Sequence, residues 1–458
     1  MTAPSSRWPG RRALAAVGVA TAAALALPLL GAQTSANAQQ APAAQASAPQ
    51  GYYLVARNGV DHSLLANRLD ERLFDLVGHD DMKHGVQIVG TDADAAKLRA
   101  EGMSVTYLAP LHQPVPAAFA ANADTYYGGY HTVEGHRSHN AAIVSANPTL
   151  ARKHVIAQSW KKTVGKGGHD IEAVCITKIA AGDCELKNTG KPKFTVMSQM
   201  HARELASGEL SYMLMDHLVA NYGKAADVTS LLDTTEVWII PIANPDGVDI
   251  VASNPNNPIS QRKSAKENGC PGTGLGTDLN RNSSYHWDVN QGGKCSQTYP
   301  GTGPASDPEV AGIQKFLSKI YRDTKPAADK APATADTTGV FITTHSYSQL
   351  NIFPYGWTND LAPNHNSLKA IADAMARHNR YQVVHGDGGL NYFAPGATDD
   401  WVYGELGVPG LTIEIGPGTG ACGGFFPKHS CMQDFWKLNY PAYMAAAKYA
   451  AKPYATRR

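Results

Sequence analysis

The stretch spanning residues 194–219, FTVMSQMHARELASGELSYMLMDHLV, decides the fold class of this chain. It begins with an apolar run, residues 194–198, whose length is typical of a buried strand. A polar cluster follows at residues 201–204, and the apolar spacing of residues 208–219 predicts a helix. A strand that leads through polar residues into a helix is the unit from which α/β domains are built.

The same arrangement recurs along the rest of the chain. Further apolar runs predict strands at residues 237–241, 340–344 and 411–415. Apolar residues at helical spacing predict helices at residues 309–321 and 368–378. Each of these strands runs into or contains polar residues, and ligands in α/β sheets bind at the carboxyl ends of the strands. The sequence therefore predicts an α/β domain over residues 124–458, with one site where the polar clusters meet.

The first residues of the chain predict an export signal. Arginines precede an apolar run at residues 13–30 and a small-residue motif at Ala36-Asn37-Ala38, so residues 1–38 are interpreted as a signal peptide that is cleaved after Ala38. The Arg11-Arg12 pair is compatible with a twin-arginine signal as well as with an ordinary secretory one. A retained membrane anchor is the alternative, although Pro28 makes this run a poor spanning helix. We therefore expect a secreted protein.

Between the signal and the α/β domain, the sequence predicts two linkers and a small module. Residues 39–50 and 113–123 are rich in Ala, Gln and Pro, which indicates flexible linkers, and the second is open to proteolysis. Residues 51–112 contain strand patterns at 52–56, 86–89 and 105–108 and a helical pattern at 95–100. They are interpreted as a compact α+β module.

Composition excludes some classes of partner. The 458 residues carry a formal net charge of +1 and 43% hydrophobic residues, so neither nucleic acid nor an anionic membrane surface is expected as a partner. Six cysteines in an exported chain favour disulfides, and sequence order suggests three local pairs, Cys175–Cys184, Cys270–Cys295 and Cys422–Cys431. No CxxC spacing occurs, so a metal site would use histidine and carboxylate.

His201 and Glu204 are three residues apart, so one turn of chain can direct both at one metal ion. A surface ion pair or a helix cap would explain the spacing as well. A catalytic zinc site needs three protein ligands and an open position, and His345, directly after the strand at 340–344, is the candidate third ligand. A core histidine is the alternative for His345. The histidines of the polar segment 131–139 are expected at the surface.

Five motifs in one order resemble the zinc metallocarboxypeptidases of the carboxypeptidase A/B type. They are His201-Ala202-Arg203-Glu204, Asn244-Pro245-Asp246-Gly247, Asp278-Leu279-Asn280-Arg281-Asn282, His345-Ser346-Tyr347-Ser348-Gln349, and Asp400-Trp401 placed before Glu414. The resemblance covers residues 124–458 and implies a mixed twisted sheet with helices on both faces. Residues 51–112 resemble an inhibitory propeptide in architecture alone, and we expect them to cover the site until they are removed.

The resemblance implies one zinc ion per chain, held by His201, Glu204 and His345. It makes Asp278 a partner that orients His201, although a loop-capping carboxylate is the alternative. Glu414 would be the general base, and a carboxylate within an apolar run is costly to bury without a purpose.

The remaining implied roles concern the substrate. Arg262 would face the developing oxyanion, and Asn280 and Arg281 would clamp the terminal carboxylate. Tyr392 would close over that carboxylate, while Arg203 and Tyr347 would line an outer subsite. Asp399 aligns with the pocket for the C-terminal side chain, where an acidic residue implies preference for lysine or arginine with some acceptance of apolar ends. This chain departs from the pancreatic pattern after Glu414, where it has Ile415-Gly416-Pro417.

These roles predict a secreted, monomeric zinc carboxypeptidase that acts on peptides or proteins with a free C-terminus. A zinc amidase or peptidase for cell-wall peptides is the enzymatic alternative. An inactive peptide-binding module is the alternative from another class, and the presence of Glu414 with all three candidate ligands argues against it.

Overall fold

A four-stranded antiparallel sheet with two helices forms the N-terminal module of the computed structural model, which describes residues 48–71, 74–77, 85–116, 119–188, 190–388 and 392–455. The predicted signal peptide and most of the first linker lie outside the described residues. The elements of the module are β1 (Gln50–Ala56), α1 (His62–Glu71), β2 (Asp75–Leu76), β3 (Val86–Thr91), α2 (Asp92–Ala100) and β4 (Ser104–Pro110), with strand order β2-β3-β1-β4.

Alternation along β1 divides the module's apolar side chains between two cores. Tyr53 and Val55 pack with residues of α1 and α2 in a small core of the module itself. Tyr52, on the opposite face of the strand, belongs to the core of the larger domain. Because successive side chains of a strand point to opposite faces, one short strand serves both cores.

The larger domain alternates strands with helices, as predicted. Its elements are β5 (Thr125–Tyr126), β6 (Tyr130–His131), α3 (Val133–Ala146), β7 (Ala151–Gln158), α4 (Trp160–Thr163), β8 (Asp170–Ile176), β9 (Lys193–Ser198), α5 (Leu205–Asn221), α6 (Ala226–Thr234), β10 (Glu236–Ile240), α7 (Pro245–Ala252), α8 (Pro308–Ile320), β11 (Val340–His345), β12 (Leu350–Ile352), α9 (His365–Asn379), β13 (Gln382–Val384), α10 (Thr398–Leu406), β14 (Gly410–Glu414) and α11 (Met432–Ala447).

The main sheet has eight strands in the order β13-β12-β14-β11-β9-β10-β8-β7. The central strands β14, β11, β9 and β10 are parallel, and antiparallel strands flank them, so the sheet is mixed as the resemblance implied. Every residue of β9, β10 and β11 is buried, which means that both faces of the sheet are covered. Parallel strands place their carboxyl ends at one edge, and this edge carries the polar clusters.

The prediction that the histidines at residues 131–139 lie at the surface is wrong. His131 is the last residue of β6, and His136 and His139 lie in α3 and are buried. The Tyr212 ring stacks on His131 and on His139, with centroid distances of 4.0 and 3.4 Å. The sequence of this segment is polar, but its histidine rings are buried because they pack on an aromatic side chain of α5.

All three predicted cysteine pairs, Cys175–Cys184, Cys270–Cys295 and Cys422–Cys431, form disulfides in the structure. Within the part of the chain that the structure describes, no helix is both long enough and apolar enough to cross a bilayer.

Candidate active site

Three candidate metal ligands converge at the carboxyl edge of the sheet. His201 and Glu204 lie between β9 and α5, and His345 is the last residue of β11, the parallel neighbour of β9. Glu204 faces both imidazoles: its Oε1 lies 2.7 Å from His201 Nδ1, and its Oε2 lies 2.9 Å from His345 Nδ1. The two Nδ1 atoms are 3.1 Å apart. Sequence reasoning found this set because strand ends that adjoin in the sheet bring distant residues together.

The other nitrogens of both imidazoles are held by neighbouring side chains. His201 Nε2 lies 3.2 Å from Asp278 Oδ1, and His345 Nε2 lies 3.0 Å from Thr343 Oγ1. A partner on one ring nitrogen fixes the orientation of the ring and leaves the other nitrogen free to bind a metal. Asp278 therefore stands where the prediction placed it.

Charge and burial set the protonation of this cluster. Burial opposes ionisation of Glu204, but the adjacent His201 and His345 outweigh it and hold the pKa of the carboxyl below its usual range. Burial, followed by the charge of Arg262, lowers the pKa of His201. Both shifts favour the forms that bind a metal, an ionised carboxylate for Glu204 and a neutral imidazole for His201.

The donor set fits a zinc ion. One donor atom from each of His201, Glu204 and His345 lies within 4.8 Å of the other two, and all three residues are buried. Two imidazoles with one carboxylate are a recurring catalytic zinc set, which leaves a fourth position open. Among the described residues, no other group of three histidine, cysteine or acidic side chains meets the same condition.

Glu414 is the last residue of β14 and lies directly beside His345 in the register of the sheet. It lines a cavity of about 370 Å³, and so do His201, Glu204 and Ser346, the residue after His345. Burial, and then the nearby Glu204, raise the pKa of its carboxyl. Its buried Oε2 has no hydrogen-bond partner, which is unusual for a carboxylate and leaves this oxygen available to a ligand.

Arg262 lies beside the metal cluster with its guanidinium held in place. Its Nε and Nη2 donate to Asp278 Oδ2 at 3.1 and 2.9 Å, and its Nη1 lies 3.9 Å from Glu204 Oε1. Asp278 thus contacts both His201 and Arg262. Burial lowers the pKa of Arg262, but Asp278 together with Tyr392 and Glu204 raises it by more, so the guanidinium stays charged.

Asn280, Arg281 and Tyr392 line the same cavity. The buried Nε of Arg281 has no hydrogen-bond partner, while its guanidinium lies 5.5 Å from the centre of the Tyr392 ring. Asn280 Oδ1 accepts a hydrogen bond from the Thr398 N–H at 3.0 Å. These contacts bring together the predicted clamp residues.

Asp399 lines the cavity in the first turn of α10 and is buried. Its Oδ2 accepts a hydrogen bond from Thr412 Oγ1 at 2.9 Å. Burial raises the pKa of this carboxyl. The structure thus brings Asp399 to the cavity and gives its carboxylate a hydroxyl partner from β14.

The N-terminal module contacts the mouth of the cavity. Sequence reasoning identified Arg203 and Tyr347 on the cavity side of this contact but not the residues that they touch. Asp75 of β2 forms an ion pair with Arg203, which is buried and stacks on Phe425 at 3.9 Å from the ring centre. Tyr347 packs edge-on against Tyr52 of the module, with ring centroids 6.0 Å apart. Arg203 and Tyr347 both line the cavity. No motif marked Asp75 or Phe425, since their importance arises only from what they touch.

Comparisons with known proteins agree with this geometry. A family model described as zinc carboxypeptidase matches residues 137–442. Carboxypeptidase B2 of Homo sapiens is 29% identical over 326 residues, which cover 68% of this chain and 69% of that protein. Carboxypeptidase A2 of Mus musculus is 30% identical over 297 residues, which cover 62% of this chain and 61% of that protein.

Among solved structures, the crystal structure of thrombin activatable fibrinolysis inhibitor is similar, with a TM-score of 0.66 and 22% identity. The alignment covers 88% of this chain and 99% of that one. At this level of identity the likeness shows the fold. The covered share of this chain exceeds the larger domain alone, so the shared fold extends into the N-terminal module.

Proposed function

Because this chain belongs to the zinc carboxypeptidase family, we propose that it hydrolyses the last peptide bond of peptides or proteins that have a free C-terminus. His201, Glu204 and His345 hold one zinc ion, as their convergence supports. When bound, this ion supplies a Lewis acid that makes a water molecule more acidic and polarises the scissile carbonyl.

The protein's own residues carry the proton. Glu414 Oε2 is the base that takes a proton from the attacking water as the oxygen bonds to the carbonyl carbon. The same carboxyl then delivers the proton to the nitrogen of the leaving amino acid as the C–N bond breaks. The unpartnered Oε2 within the cavity supports this role.

Arginines bind the charges of the substrate. Arg262, fixed by Asp278 through Nε and Nη2, stabilises the negative charge that develops on the carbonyl oxygen. Arg281, with its unpartnered Nε, binds the terminal carboxylate together with Asn280. Tyr392, which is 37% exposed, covers the bound carboxylate from the side of solvent.

The observation that carries the proposal is that the cavity beside the cluster of His201, Glu204 and His345 is lined by Glu414 and Arg281, each of which has one buried atom without a hydrogen-bond partner. Mass spectrometry of a mixture of peptides after incubation tests it. The proposal expects ladders that shorten from the C-terminus, and C-terminally amidated peptides should stay intact. Internal cleavage, or release of acyl groups alone, would support the cell-wall amidase alternative.

We also propose that Asp399 gives the enzyme a preference for basic C-terminal residues. A buried carboxylate whose partner in the cavity is a hydroxyl can pair with an incoming lysine or arginine. In such a pocket, pairing of opposite charges contributes more to substrate preference than one methylene group of side-chain size does. Apolar C-terminal residues remain acceptable because Asp399 keeps its hydrogen bond from Thr412 when no basic side chain is bound.

The N-terminal module is proposed to restrain the enzyme until it is removed. Its contacts with Arg203 and Tyr347 support this role, because both residues line the cavity. The boundaries proposed are residues 51–112 for the module and 113–123 for the cleavable linker. Cleavage in the linker by a protease that cuts after small residues, since residues 113–123 contain no lysine or arginine, followed by assay of the product, measures the restraint.

Export is proposed for the whole chain. Three disulfides support an oxidising compartment, where such bonds persist. N-terminal sequencing of protein collected outside an expressing cell should begin at Gln39, and a mature protein that still begins at residue 1 would contradict the proposed signal.

A further inference from the structure

The Asn244-Pro245-Asp246-Gly247 motif contributes no group to the chemistry proposed above. Asn244 follows β10 and is the N-cap of α7, and it is fully buried. Its Oδ1 accepts a hydrogen bond from the Gly247 N–H at 3.1 Å. This bond is an ordinary helix cap, and serine or aspartate would make it equally well.

The amide nitrogen of Asn244 makes two more hydrogen bonds, which a helix cap does not require. Nδ2 donates to the carbonyl oxygen of Met200 at 3.2 Å and to that of Lys263 at 3.1 Å. Met200 directly precedes His201, and Lys263 directly follows Arg262. One side chain therefore ties the segment that carries a metal ligand to the segment that carries the oxyanion arginine.

A backbone hydrogen bond joins the same two segments. The Ala202 N–H donates to the Arg262 carbonyl oxygen at 3.0 Å. This backbone bond and the two bonds of the Asn244 amide together hold the two segments against each other.

Gly247 explains why the motif ends in glycine. A Cβ at this position would lie 2.6 Å from Asn244 Nδ2 and 2.8 Å from Ala202 Cβ. Real Cβ atoms do not approach so closely, and Ala202 belongs to the metal-binding segment. The glycine therefore leaves room for the Asn244 amide to reach both carbonyls.

We propose that Asn244 is a positioning residue that sets His201 relative to Arg262, with Gly247 providing the space for it. The inference deepens the proposed function and, for its effect on turnover, rests on it. Replacing a residue that orients a metal ligand typically lowers metal affinity or activity by about 10–100-fold. Asn280 and Arg281 are not on the tied segments, so substrate binding should change little.

The first test is Asn244→Ser in the full-length protein. Serine keeps the helix cap, but its side chain is shorter and has one donor, so it cannot bond both carbonyls. Zinc titrated into the metal-free protein should bind about 10–100-fold more weakly. With zinc at saturation, kcat should fall by a similar factor while KM stays within about threefold, the pattern of an interaction lost in the transition state.

Gly247→Ala is the second variant. Alanine is normally favoured over glycine inside a helix, but here the new Cβ must displace its neighbours, so a purely structural motif predicts lower stability with unchanged zinc affinity and kcat. The proposal predicts weaker zinc binding and lower kcat instead, because the new Cβ displaces Asn244. This variant decides the question if Asn244→Ser does not fold.

Asn379→Ser is the matched control. Asn379 is buried, and its amide donates to Asn351 Oδ1 at 3.0 Å and Asn439 Oδ1 at 3.4 Å; none of these three residues lines the cavity. It should lose stability but keep zinc affinity and kcat.

The proposal is overturned if Asn244→Ser and Gly247→Ala bind zinc as wild type does, or if Asn379→Ser loses zinc affinity and kcat to the same extent. A wild type that binds zinc but cleaves no peptide would refute the proposed function instead. The zinc affinities of the variants would still decide the role of Asn244.

Discussion

Asp75→Ala should activate the intact protein without any cleavage. Asp75 and Arg203 form an ion pair whose side chains are 10% and 1% exposed, so this contact between module and cavity is largely shielded from water. Breaking a buried pair by removing one partner costs about 3–5 kcal/mol. At 1.4 kcal/mol per factor of ten, the lower figure shifts the balance between closed and open module by on the order of a hundredfold.

Only molecules whose module is open admit substrate, so kcat/KM of the intact protein should rise by up to about a hundredfold. The assay is hydrolysis of a short N-blocked peptide by uncleaved protein. Asp92→Ala is the matched control, because Asp92 bonds the Tyr53 hydroxyl at 2.7 Å inside the module. If Asp75→Ala is no faster than wild type while cleaved protein is much faster, this ion pair does not hold the module closed. If uncleaved wild type is already as fast as cleaved protein, the module does not restrain the enzyme.

Three further outcomes are expected. Asp399→Ala should lower kcat/KM at least about tenfold for a peptide ending in arginine and little for one ending in phenylalanine, since losing a buried charge partner costs roughly 2–5 kcal/mol; equal losses would show that Asp399 does not read the side chain. Burial, and then the charge of Asp307, raise the pKa of Glu309 from 4.5 to about 8, so the folded protein keeps a proton that the unfolded chain releases. Stability should therefore fall as pH rises from 4.5 to about 8, and Glu309→Gln should flatten this slope in denaturant titrations at several pH values; an unchanged slope would contradict the assignment. Removal of metal by a chelator should abolish hydrolysis and zinc should restore it, whereas full activity of metal-free protein would refute a zinc mechanism.

The metal cluster was predictable because its geometry follows from the order of strands. His201 and His345 each lie just beyond an apolar strand, and adjacent parallel strands must bring those positions together. Glu414 drew attention as an acid within an apolar run, and its role as the general base stays a prediction.

Contacts between surfaces could not be predicted in this way. Asp75 looks like any acidic residue of a short strand until the module folds against Arg203. The two donations of Asn244 depend on the paths of two loops, and helix-capping residues carry no sequence mark for such bonds. His136 and His139 were wrongly predicted to be exposed, because the sequence does not show that their imidazole rings pack against Tyr212.

Zinc content and turnover of Glu414→Gln, measured on one sample, test the central claim most directly. Glutamine keeps the size of the side chain but cannot accept the proton of the attacking water, and the proposed zinc ligands His201, Glu204 and His345 are unchanged in this variant. The account predicts one zinc ion per chain and a turnover lower by about 10²–10⁴, the usual contribution of a general base. A variant that loses its zinc would make Glu414 a ligand, and one that keeps both zinc and wild-type turnover would show that the proton goes elsewhere.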